Sequence, residues 1–116
     1  MSRIRLALAV PTVALAAAVG AGWATAATPV LKGTDGPGFT ITLSKKLVKA
    51  GTYKIVIADK SNIHNFHLTG PGVNKATSVA AVKTYTWKVV LKRGTYRFVC
   101  DPHASLMKGK FVVQAP

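Results

Sequence analysis

Period-two alternation runs through almost every apolar stretch between residues 39 and 113, and it restricts the chain to β structure. In FTITLS, Phe39, Ile41 and Leu43 alternate with Thr40, Thr42 and Ser44; in TYKIVIA, Tyr53, Ile55 and Ile57 share one face. TYTWKVVL (84–91), TYRFVC (95–100) and a closing KFVV repeat the pattern. Successive side chains that point to opposite faces can bury one row and leave the other in water, as a strand does. Turn residues separate the runs: Ala50-Gly51, Asp59 to Asn62, Gly70-Pro71-Gly72 and Arg93-Gly94. No stretch after residue 26 repeats at the helical period. Six to eight short strands predict an all-β fold, an antiparallel β-sandwich over 39–116. A turn-rich, flexible lead-in is expected over 27–38.

The first 26 residues have a different character. Arg3 and Arg5 open an uncharged, mostly apolar run from Leu6 to Val19, and Ala24 and Ala26 follow in an A-x-A arrangement. This is the layout of a cleavable signal peptide over 1–26, and it predicts a periplasmic or secreted protein. The run is shorter than the roughly 20 residues that span a bilayer, and Pro11 interrupts it. Without this segment, and so without Arg3 and Arg5, the chain has 90 residues and a net charge of +11. That is enough for one small domain.

Cysteine occurs once, at Cys100, so disulfides within the chain and multi-cysteine zinc sites are excluded. The segments LVKAGTYKIVI (47–57) and VLKRGTYRFVC (90–100) share Lys-x-Gly-Thr-Tyr followed by a basic residue. Their alignment matches Cys100 to Ile57, on the face of Tyr96 and Phe98, so the thiol is expected to point inward. Cys100-Asp101-Pro102-His103-Ala104-Ser105-Leu106-Met107 then sets a thiolate, an imidazole and a thioether on one loop. Upstream, Ser61 to Leu68 supplies His64 and His67. Alternation puts His64 in the apolar row with Phe66 and Leu68, and His67 beside Asn65 in the solvated row. Two imidazoles, one thiolate and a weak thioether suit copper in an electron-transfer site. The three acids, Asp35, Asp59 and Asp101, are scattered and glutamate is absent, which disfavours carboxylate-pair catalysis.

The stretch GTYRFVCDPHASLMKGKFVV, with His64-Asn65 upstream, resembles the C-terminal signature of small blue copper proteins, the cupredoxins of the plastocyanin, pseudoazurin and amicyanin group. The resemblance implies a Greek-key cupredoxin-like sandwich holding one type 1 copper ion. It implies His64, Cys100 and His103 as strong ligands, Met107 as the weak axial one, and Asn65 as a supporting hydrogen-bond partner of the cysteine loop. Three residues separate His103 from Met107, between the four of plastocyanin-like loops and the two of amicyanin-like loops. The implied function is a one-electron carrier and not an enzyme. The alternatives are a copper storage, delivery or tolerance protein and a metal-free β-sandwich interaction module.

The basic charge bears on partners. Its lysines are scattered and its aromatics sit at inward positions, which argues against nucleic acid. A monomer meeting a redox partner through an acidic docking surface is expected, with adsorption to an anionic envelope surface as the bland alternative. Pro71, Pro102, Ala104 and Leu106 are expected to form an apolar patch around His103.

Overall fold

The computed structural model describes Ser2, Ile4, residues 7–14 and residues 26–116. Met1, Arg3, Arg5, Leu6 and residues 15–25, which fall in the expected signal peptide, lie outside the described residues. Among the described residues, nine strands form two facing sheets: β1 (Val30–Asp35), β2 (Ile41–Leu43), β3 (Leu47–Lys49), β4 (Gly51–Asp59), β5 (His67–Gly70), β6 (Val73–Ala76), β7 (Lys83–Leu91), β8 (Gly94–Val99) and β9 (Lys108–Gln114). The orders are β2-β1-β4-β7 and β3-β9-β8-β5-β6. The all-β sandwich is as expected, and each sheet also contains one parallel pairing, β1 with β4 and β3 with β9.

The alternation read in β4, β7 and β8 is the alternation of the core. Tyr53, Ile55 and Ile57 of β4, Val89 and Leu91 of β7, and Tyr96 and Phe98 of β8 are all buried. Phe98 stacks on Phe66 with centroids 5.2 Å apart, and Tyr96 stacks on Phe111 at 5.1 Å. Two expectations are corrected. Residues 30–35 of the supposed lead-in are a central strand, with Leu31 fully buried. Phe39 lies outside β2 and is 57% exposed, so it is not the first inward residue of a strand.

Register decides where the chemistry collects. β5 and β8 run antiparallel with His67 opposite Val99, so the residues before β5 and after β8 emerge at one end. Val99 faces Lys108 of β9, which brings Met107 to that end too. β1 and β4 finish there on Asp35 and Asp59, register partners whose side chains are both buried.

Burial, and then the neighbouring Asp59 carboxyl, push the Asp35 carboxyl from its ordinary 3.8 up to about 7. A raised folded-state pKa means stability that is full below the unfolded value and lost as pH rises through about 7. Melting the protein at intervals from pH 4 to pH 8 should show this decline in the wild type and a flatter profile in Asp35→Asn. Parallel profiles would remove Asp35 as the cause.

Candidate metal centre

The loop after β8 is closed on itself by backbone hydrogen bonds. A single 3-10 turn, Asp101–His103, starts at Cys100 with Pro102 in its first turn, where a missing N–H costs little. His103 N donates to Cys100 O at 3.0 Å, and Met107 N donates to His103 O at 2.9 Å. Cys100 N donates to Met107 O at 2.9 Å, one more rung beyond the β8–β9 ladder. The loop therefore presents its cysteine and histidine from a fixed base.

Cys100 and His64 are fully buried, and His103 is half-buried. His64 Nδ1 lies 3.0 Å from His103 Nδ1, and Cys100 Sγ lies 3.7 and 3.6 Å from those two nitrogens. The point equidistant from the three atoms is about 2.0 Å from each, close to the 2.0–2.1 Å of a metal–imidazole bond. Three lone-pair donors converge here, and a proton between two of them leaves the third without a partner. A shared soft cation satisfies all three. Residues of this donor type gather nowhere else among the described residues in such a group. Asn65 N–H points at Cys100 Sγ from 3.5 Å, a contact that favours thiolate over thiol.

Behind the three donors is a hydrogen-bonded brace. Asn65 Oδ1 accepts from Asp101 N at 2.7 Å, and its Nδ2 donates to Asp101 Oδ2 at 2.8 Å and to Thr77 O at 3.4 Å. Thr77, buried, accepts from Phe66 N through Oγ1 at 2.8 Å and donates its own N–H to Phe66 O. This ties the His64 segment to the turn after β6. Burial pushes the Asp101 carboxyl up, but hydrogen bonds from Asn65 and His67 outweigh it and leave it below the ordinary value.

His67 faces outward, as alternation indicates, and it is hydrogen-bonded to Asp101 and Asn74. Met107 is buried at the loop's far end. Alternation does not describe residues 64–66 fully: they precede β5, and Asn65 is buried along with its neighbours.

Sequence reasoning missed three participants. Phe39 sets its ring edge-on to both imidazoles, with centroids 5.1 Å from His64 and 4.9 Å from His103. Thr77 and Asp101 complete the brace. An aromatic two positions after Gly36-Pro37 carries no signal for this role, whereas the residue following the cysteine could have been singled out as a loop acceptor. The apolar patch is corrected in one respect. Pro102, Ala104 and Leu106 are exposed near His103, but Pro71 lies at the other end of β8, where its carbonyl accepts the Tyr96 hydroxyl.

Comparison with known proteins agrees with this geometry. The family described as copper binding proteins, plastocyanin/azurin family, matches residues 27–114. No curated protein sequence matches significantly. Among solved structures, auracyanin A, a "blue" copper protein from Chloroflexus aurantiacus, is similar with a TM-score of 0.54 and 20% identity, over 76% of this chain and 100% of that one. Reduced rusticyanin is similar with a TM-score of 0.57 and 22% identity, over 75% of this chain and 79% of that one. Rusticyanin from Thiobacillus ferrooxidans has a TM-score of 0.55 and 19% identity, over 75% of this chain and 77% of that one.

Proposed function

The chain belongs to the plastocyanin/azurin family of copper-binding proteins, and on that premise we propose that it is an exported one-electron carrier whose copper is held by His64, Cys100 and His103, with Met107 as weak axial ligand. The observation that carries this reading is the convergence of one sulfur and two imidazole nitrogens on a single buried point. Copper bound there supplies a one-electron couple between Cu(I) and Cu(II). The protein's own contribution is rigidity. Cys100 and Met107 share a ladder rung, Asn65 fixes the loop from behind, and burial excludes water. Donors held in this way need little rearrangement when the electron moves.

His103 supports a route outward. It is the one half-buried member of the donor group, and Leu106, 71% exposed, stands near it with Pro102 and Ala104. Charge supports a partner with an acidic docking face: of the three acids, Asp35 and Asp59 are buried, so the basic surface carries Asp101 as its one exposed acidic side chain. Export rests on the 1–26 segment.

The test is reversible voltammetry with measurement of electron exchange on the copper-loaded protein. Fast exchange with retained metal is expected, and Leu106→Glu should slow it without altering the visible spectrum. Copper lost readily to a chelator, with slow exchange, would support delivery instead of transfer. Exchange unchanged in Leu106→Glu would remove the patch from the path.

A further inference from the structure

His67 lies outside the donor group, yet both of its ring nitrogens are engaged. Nδ1 is 2.9 Å from Asp101 Oδ1, and Nε2 is 2.7 Å from Asn74 Oδ1. Both partners are acceptors: a carboxylate offers no hydrogen, and the Asn74 atom is the amide oxygen. Only an imidazole carrying a hydrogen on each nitrogen makes both bonds. A neutral ring would leave one lone pair facing an acceptor. We propose that His67 is a positioning residue for the copper loop, an imidazolium clamp that ties Asp101 to β5 and, through Asn74, to β6, and so fixes the backbone beside Cys100.

The connection to the metal centre is continuous. The Asp101 carboxylate takes the His67 bond on Oδ1 and the Asn65 bond on Oδ2, while Asp101 N–H donates to Asn65 Oδ1. Asn65 N–H in turn faces Cys100 Sγ. Protonation gives His67 a donor on each nitrogen and adds an ion pair with the Asp101 carboxylate, so the clamp is tightest with His67 protonated.

The surroundings show that Asp101 is what favours the cation. On the outer face, Thr69 of β5, Asn74 and Ala76 of β6 and Val99 of β8 surround His67. Arg97 sits opposite Thr69, and Lys108 and Lys110 lie one strand further on β9. These cations oppose protonation, and Asp101 is the sole acid paired with His67. The hydrogen bonds to Asp101 and then Asn74 nevertheless hold the His67 pKa above its ordinary 6.5, against partial burial. The raised pKa means a contribution that is full below 6.5 and lost as pH rises through the folded value.

The proposal rests on the copper-site reading, but the clamp can be read without metal. In the metal-free full chain, NMR should show His67 titrating above its ordinary value. Amide exchange of Asp101 should be about 10-fold faster in His67→Ala than in the wild type, with core amides unchanged. It should quicken in the wild type as His67 deprotonates, beyond the base-catalysed rise seen at control amides. His67→Lys, a donor cation that does not titrate in this range, should restore Asp101 protection and abolish that pH dependence. With copper bound, competition against a chelator should show affinity about 10- to 100-fold lower in His67→Ala, the range for lost support behind a metal ligand. Equal Asp101 protection in the wild type and His67→Ala overturns the clamp even if the protein turns blue. Retained protection differences in a protein that stays colourless with copper overturn the copper reading and leave the clamp standing.

Discussion

Cys100→Ser should abolish the intense visible absorption of the copper-loaded protein and lower copper affinity by more than the roughly 100-fold that loss of a supporting hydrogen bond can cost. The sulfur is the only soft anionic donor in the group, and charge transfer from it to the metal is the source of the colour. A hydroxyl in its place keeps nearly the same volume and stays neutral at working pH. The site is buried, so no water-exposed ligand stands ready to replace the sulfur. The fold should survive, because Asn65 N–H and the two imidazoles surround the position and can hydrogen-bond a hydroxyl. Far-ultraviolet circular dichroism on the metal-free variant checks this. Retained colour in Cys100→Ser would place the metal elsewhere.

The second large effect is on the framework. Gly70→Ala would drive a methyl group into the Tyr96 ring: a Cβ there overlaps Cδ1 and lies 2.6 Å from Cγ. The ring has no room to yield. It is fully buried and stacked on Phe111, and its hydroxyl donates to Pro71 O at 2.7 Å and accepts from Lys92 N at 2.9 Å. Overpacking of this kind costs about 1–3 kcal/mol, and the upper end is expected here. At roughly 4–8 °C per kcal/mol for a domain of this size, the melting temperature should fall by roughly 10–20 °C. Gly38→Ala is the control, since a Cβ at Gly38 meets nothing within 4 Å. Equal melting of Gly70→Ala and the wild type would show that the Tyr96 anchor is not rigid.

Most of the sandwich was legible because its inward rows are built from large apolar residues at strict alternation. β1 was hidden because its inward row is Leu31, Gly33 and Asp35, which does not read as a core face. The structure explains the glycine: a Cβ at Gly33 would lie 2.6 Å from Ile57 Cδ1 and 3.0 Å from the Phe66 ring, so the space is already filled. Asp35 is buried beside its register partner Asp59, a long-range pairing with no local signature. The pairing of β3 with β9 was unreadable for the same reason, joining residues far apart in the chain.

At the metal centre, the inward cysteine and the choice of His64 over His67 both followed from alternation. The choice is the same in the structure, but the cause is partly different. Residues 64–66 cross the end of the sandwich, and Asn65 is buried there by its bonds to Asp101 and Thr77. FTITLS alternates without a break and so predicts Phe39 on a strand. The strand starts later, and the ring instead packs against two imidazoles brought together by β5 and β8. Contacts of that kind depend on tertiary closure.

If His64, Cys100 and His103 hold one copper ion in a type 1 site, titrating Cu(II) into the metal-free protein should produce an intense blue absorption. The colour should saturate at a single equivalent and bleach on reduction. A colourless complex, or colour that keeps growing beyond one equivalent, would contradict such a site.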